Sequence, residues 1–208
     1  MNTILADADK DLREFLKTVV VEMDKTIECI QPQVYTKSVQ LITEAEDSGH
    51  RLHITGIGKP SHIASYLSSL FSSVGTKSYY LDAVEAVHGS SGQLEPGDVV
   101  ICISNSGETM ELKATVQTIK NNDCKVIAVT GNSNSWLSRE ADATLIAKVQ
   151  HEGGPLNRAP RVSILSELLV LQGLSVVLQS KKNITPEMYV RWHPGGQLGK
   201  LRDGEIPR

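Results

Sequence analysis

Apolar positions in the first fifty residues recur at helical spacing. Leu12, Phe15, Leu16, Val19, Val20 and Met23 fall on one stripe, and Pro32 interrupts it. Val39, Leu41, Ile42 and Ala45 form a second helical run that closes at Ser48-Gly49, where the glycine suits a C-cap. Beyond residue 50 the period changes. Five short β-rich runs, at 52–56, 77–81, 98–103, 125–130 and 144–149, come at fairly even spacing, and helical patterns such as 61–74 and 111–120 lie between most of them. Strand–helix alternation of this kind predicts a parallel sheet covered on both faces. A long apolar helix is expected over 163–178, followed by a polar turn region that ends in His193-Pro194-Gly195-Gly196. The pattern therefore reads as an α/β fold. It is a three-layer αβα sandwich on a five-stranded parallel sheet, with extra helices at the N- and C-terminal ends. No repeat, low-complexity tract or linker breaks it, so residues 1–208 are expected to form a single domain, with N-terminal helices (1–50) packing on it.

Composition narrows the partners. The chain has 208 residues, enough to bury a sizeable core, and 40% hydrophobic against 22% charged residues is ordinary for a globular protein. A net charge of −3 and an aromatic content of only 4% leave no basic, aromatic-interleaved patch for nucleic acid. Cys29, Cys102 and Cys124 are scattered, with no CxxC pair, which points to a reducing compartment and away from disulfides or a zinc ribbon. No apolar stretch is read as approaching the roughly 20 residues of a membrane span, and the polar N-terminus is unlike a signal peptide. A cytoplasmic protein with no membrane partner is expected.

In open parallel sheets, ligands bind beyond the carboxyl ends of the strands. After the first strand comes Gly56-Ile57-Gly58-Lys59-Pro60-Ser61-His62, with two glycines for a tight turn and a helix start that offers N–H groups to an anion beside Lys59. It is neither the GxGxxG fingerprint nor a Walker A loop. A plain strand-to-helix turn with a solvated lysine is the competing reading. After the third strand, Ser104-Asn105-Ser106-Gly107-Glu108-Thr109 opens onto a helix that contains Glu111, giving hydroxyl and backbone donors for a phosphate. Helix capping by the same Ser and Thr, with Glu108 or Glu111 complementing the dipole, uses the same geometry. His88 follows the second strand, His151-Glu152-Gly153-Gly154-Pro155 follows the fifth, and His193 stands beside a rigid Pro-Gly turn. Together they offer acid/base groups around one phosphate-binding edge. A metal site is disfavoured because no histidine pair has helical ligand spacing, and no GxSxG elbow marks a serine nucleophile.

The segments GIGKPSH (56–62), EAVHG (85–89), ISNSGETME (103–111), EGGPLNRAP (152–160) and HPGGQLG (193–199) resemble those of sugar isomerase (SIS) domains, and within them the arabinose-5-phosphate isomerases. The likeness covers about residues 10–200. It implies a flavodoxin-like sheet and interconversion of D-ribulose 5-phosphate and D-arabinose 5-phosphate, with no cofactor and no metal. It also implies a product that feeds synthesis of Kdo for lipopolysaccharide or capsule. Carried over by position, the catalytic group falls on Lys59, Glu111, Glu152 and His193. The substrate-binding set is Gly58, Ser61, His88, Ser104, Asn105, Ser106, Gly107, Glu108 and Thr109. Family members are typically homotetramers, and the resemblance leaves open whether His88 acts within its own subunit or in a neighbour's site. Two departures stand out: Arg161-Val162-Ser163 replaces a Ser/Thr-rich run, and Ser90 stands where an aspartate is common. The chain is expected to be a short form that lacks the CBS modules many relatives carry. Another phosphosugar isomerase of the same fold, acting on a hexulose or heptulose phosphate, and a non-catalytic phosphosugar-binding module are the alternatives.

Overall fold

The computed structural model describes residues 3–205, with side chains from residue 8 onward. Expectations that rest on the first residues or on the end at Arg208 lie outside the described residues.

The β-rich runs become strands because each can be covered on both faces. β1 (Leu52–Gly56) and β3 (Val99–Ile103) are buried at every residue, and β4 (Lys125–Thr130) at all but its first. β2 (Ser78–Tyr80) and β5 (Ala143–Ile146) form the edges. All neighbours pair in parallel, in the order β2-β1-β3-β4-β5. The edge strands are shorter than the apolar runs at 77–81 and 144–149. Each has one partner only, and β5 ends where Ile146 meets Thr130, the last residue of β4.

The strands separate two helical layers. One holds α2 (Thr36–Asp47), α3 (Lys59–Ser73) and α7 (Val162–Lys181), whose Ile42, Leu67, Phe71, Leu171 and Leu174 share a core with Ile54, Ile101 and Ile127. The other holds α4 (Ala83–Ala86), α5 (Met110–Asn121) and α6 (Trp136–Glu140), packed through Leu112, Val116 and Leu137 on Val100, Cys102 and Val126. The alternation along β3 assigns its residues to opposite layers, as a pleated strand must. α2 closes where Gly49 adopts φ 87°, and His50 N–H reaches back to Ala45 O at 2.9 Å. α1 (Thr3–Cys29) and α8 (Pro186–Trp192) flank this body, and short 3-10 turns occupy Pro32–Tyr35, Ser90–Gln93 and Gln197–Gly199.

Two readings of the sequence need correction. The apolar stripe of α1 is split: Phe15, Val19 and Met23 are half-buried, with Phe15 against Gly153, whereas Leu12, Leu16 and Val20 are more than half exposed at 55%, 52% and 68%. Polar groups fasten α1 as well, with Glu22 and Thr26 buried against the α7 side of the molecule. Nor is the chain free of membrane-length apolar runs. Val162–Lys181 is 20 residues long and holds an 18-residue window of mean hydropathy 1.7, enough by length and composition to span a bilayer. It is apolar around its circumference because it sits in the middle of a layer, packed on α1, α2 and α3.

Candidate active site

The connection from β1 to β2 runs through α3 on one face, whereas that from β3 to β4 runs through α5 on the other. The loops after β1 and β3 therefore part at the centre of the sheet and leave a crevice between two helix N-termini. Gly56 makes the first turn possible, since a Cβ there would sit 2.9 Å from Pro60 and 3.1 Å from Ile103 O. Gly58 is the N-cap of α3 at φ 68°, and it bonds through its carbonyl to the Ser61 hydroxyl at 2.6 Å. Lys59, the first helical residue, is exposed, and no carboxylate pairs with it among the described residues.

Across the crevice, the loop from Ser104 to Thr109 is held by its own hydroxyls. Ser104 Oγ lies 3.0 Å from Thr109 Oγ1 and accepts the Gly107 N–H at 3.2 Å, while Ser106 Oγ accepts the Glu108 N–H at 3.2 Å. Thr109 is the N-cap of α5, yet its side chain makes no capping bond, and neither does any side chain at the N-cap of α3. The capping alternative is thus not what these hydroxyls do, and both helix starts keep unsatisfied N–H groups for an anion. Gly107 lies at φ 64°, where a Cβ would collide with the Ser135 side chain and approach Thr130 Oγ1 at 3.0 Å. Asn105 supports the loop from outside, its carbonyl accepting from Gly131 N–H at 2.9 Å and from the Thr130 hydroxyl at 3.0 Å. Glu108 turns aside from the crevice. Lys113 at 2.6 Å and the Trp136 N–H at 2.7 Å take its carboxylate, and these two bonds hold it below the usual range. Glu111 stands exposed on the first turn of α5 without a side-chain partner.

Glu152 arrives from the loop after β5. Its Oε2 accepts the N–H groups of Arg161, Val162 and Ser163 at 2.7, 2.9 and 3.1 Å, so the carboxylate caps α7 where the helix dipole favours a negative charge. Asn157 Oδ1 takes the Glu152 and Gly153 N–H groups at 2.7 and 2.9 Å. α3 and α7 lie side by side, linked by Gln172 to the Tyr66 hydroxyl at 3.3 Å, and both begin at the crevice end of the sheet. Lys59 and Glu152 thus head neighbouring helices. Arg161, which the sequence marked as a departure, is exposed and folds back to Gly153 O at 3.4 Å, while Val162 and Ser163 are buried.

Sequence reasoning missed the anchor of the Glu152 loop. Glu22 of α1 accepts the Gln150 N–H at 2.8 Å and Lys25 Nζ at 3.0 Å. Burial opposes its ionisation, but the Gln150 and Lys25 bonds outweigh that and hold Glu22 below the usual range. Its place on a helix with an apolar stripe gave no cue.

The histidines are not gathered with the carboxylates. His88 is exposed after α4, with no side-chain partner among the described residues. His193 stacks on Tyr189 with ring centroids 4.0 Å apart, and its Nδ1 lies 2.8 Å from Tyr189 O. The neighbouring Trp192 reaches Gly75, beyond the C-terminal end of α3: a Cβ there would be 3.1 Å from the indole. α3 has 15 residues, which at helical rise puts Lys59 about 20 Å from that end. Within one chain Trp192, next to His193 in sequence, thus packs at the opposite end of α3 from the crevice.

Fold and crevice together define an open parallel α/β protein with a crevice at the switch point of its sheet. Residues 47–176 match the SIS domain model, and the chain belongs to that family. It is 40% identical over 166 residues to a probable arabinose 5-phosphate isomerase of Haemophilus influenzae, covering 80% of this chain and 48% of that protein. It is 36% identical to the arabinose 5-phosphate isomerase KdsD of Francisella tularensis, again over 80% of this chain and 51% of the relative. The chain thus spans about half the length of these relatives. The solved structure of E. coli CFT073 c3406 in complex with arabinose 5-phosphate superposes with a TM-score of 0.81 at 30% identity, covering 93% of this chain and all of that one.

Proposed function

We propose that the protein is an aldose–ketose isomerase that interconverts D-ribulose 5-phosphate and D-arabinose 5-phosphate through an enediol. The observation that carries this reading is the crevice itself. Two helix starts without a side-chain cap and a hydroxyl-lined loop open onto it, Lys59 and Glu111 lie in the first turns of those helices, and Glu152 caps the neighbouring α7. The naming of the relatives and the ligand of the E. coli structure support the choice of sugar. In this reading Ser104, Ser106 and the backbone up to Thr109 hold the phosphate, with Gly58 and Ser61 on the facing loop. Lys59 offsets charge developing on the enediolate. Glu152 keeps Oε1 outside its three backbone bonds, so that oxygen takes the carbon-bound proton and returns it to the neighbouring carbon. Glu111 orients hydroxyls.

Trp192, beside His193, packs at the far end of α3 from its own crevice, so His193 joins a crevice from a second copy, and His88 is exposed where a neighbour can use it. A homotetramer with shared sites accommodates both. A cytoplasmic enzyme whose product enters Kdo synthesis completes the proposal.

Incubating the protein with ribulose 5-phosphate in deuterated water tests it. Arabinose 5-phosphate carrying deuterium at C2 is the expected product. Turnover of hexulose or heptulose phosphates alone would reassign the substrate, and binding without exchange would make the protein a phosphosugar sensor.

A further inference from the structure

The buried face of α7 carries a carboxylic acid with no counterpart. Glu167 is fully buried, and neither of its carboxyl oxygens meets a hydrogen-bond partner among the described residues. The same is true of Ser163 Oγ, four residues earlier and so on the same helical face. Helical side chains lean toward the N-terminus. Glu167 therefore leans toward the turn whose Arg161, Val162 and Ser163 N–H groups hold Glu152 Oε2.

No cation compensates it. The elements packed around this half of α7 bring Glu22 and Lys25 from α1, Lys59 and His62 from the start of α3, Tyr35 from the 3-10 turn, and Glu152 and Arg161 from the preceding loop. Lys25 is taken by Glu22, Arg161 reaches Gly153 O, and the α2 charge Glu46 pairs with Lys182 at the other end. An ionised Glu167 would have neither water nor a donor, and a buried carboxyl in that position keeps its proton. Burial first, and the Glu152 charge second, push Glu167 up to about 8.

We propose that Glu167 is a positioning residue for Glu152: as a neutral acid it leaves Glu152 the sole anion at the head of α7, and its ionisation in alkaline solution disables that base. The proposal rests on the role given to Glu152 above. With both groups ionised, two like charges share one helix start. Relief comes by drawing Glu152 off its three N–H groups, which removes the base from its place. The transition belongs to the pair rather than to one residue.

The direction of the stability effect follows from linkage. In the unfolded chain a glutamate titrates near about 4.3, so between there and about 8 the folded protein holds one proton more than the unfolded one. This group's contribution to stability therefore falls as pH rises through that window and levels off above it.

Glu167→Gln in the full chain tests the proposal by keeping the neutral shape and abolishing titration. At neutral pH the wild type should show the infrared carbonyl band of a protonated carboxyl, and the variant should lack it. The variant's thermal stability should fall less between about pH 5 and 8 than the wild type's. Deuterium incorporation from solvent should drop several-fold above about pH 8 in the wild type and hold steady in the variant, with KM for the sugar phosphate unchanged in both. Glu167→Met, which fills the same space, should reproduce the stability result if the glutamine variant folds poorly. An identical alkaline fall in wild type and variant, or a wild type without the protonated-carboxyl band, would overturn the proposal. Failure of the isomerase reading has a different signature: no incorporation in either protein while the band and stability difference persist. That outcome confirms the buried acid and overturns its catalytic role.

Discussion

In the proposed reaction Glu152 serves structure with one oxygen and chemistry with the other. Oε2 is spent on three backbone N–H groups, while Oε1 is outside those bonds. Glu152→Gln preserves an acceptor for the α7 start and removes the base. Turnover should therefore drop by about 10²–10⁴-fold, the range for loss of a general base. Phosphosugar binding, measured by calorimetry, should stay within a few-fold. Gly107 is the other sensitive position. Alanine there must adopt φ 64° and displace Ser135, so Gly107→Ala should cost on the order of 1–3 kcal/mol. Thermal unfolding would report that loss as a melting point lower by several degrees, along with weaker phosphate binding.

At the level of elements, the loop that carries Glu152 depends on α1. Glu22, nearly fully buried, fastens Gln150 two residues before Glu152, and Thr26 Oγ1 lies 3.2 Å from Ser166 Oγ on α7. Glu22→Ala should destabilise the protein by roughly 1.5–3 kcal/mol, as expected for a lost hydrogen bond to a charged group. It should also lower kcat more than it raises KM, because the phosphate loop after β3 is untouched. The Glu22 shift carries a sign. A carboxyl held below its unfolded value contributes stability that is present above about pH 4.3 and lost as pH falls through the folded value. Acid unfolding curves of Glu22→Ala should accordingly be shallower than those of the wild type below about pH 4.5.

Across the whole molecule, the exposed face of α1 and the placement of the segment next to His193 point to one conclusion. Leu12, Leu16 and Val20 recur every four residues and stay exposed, while Phe15, Glu22 and Thr26 turn toward the body. An apolar row of that kind is the sort of surface a second copy covers. Leu16→Glu combined with Val20→Glu should shift sedimentation toward smaller species. Turnover should fall with it, since Trp192, the neighbour of His193, packs at the end of α3 about 20 Å from Lys59 by helical rise. Full activity in a dissociated double variant would exclude a site shared between copies.

Much of the fold was legible because periodicity records burial directly. Five strands, three of them buried on both faces, the α2 stop at Gly49, and the two loops that open onto α3 and α5 all follow from local pattern and turn chemistry. The sequence by itself determined the α/β layering and which loops, at 56–59 and 104–109, follow the central strands, since the pattern marks where those strands end. Tertiary structure alone decided which face of α1 is buried, that Glu108 turns to Lys113 and Trp136, and that Trp192, beside His193, packs at the far end of α3. It alone revealed Glu22 and Glu167 behind Glu152. These depend on contacts between residues far apart in the chain: Glu22 and Gln150 are separated by 128 positions. A helical repeat records that a residue has an apolar side, and only packing decides what lies against it.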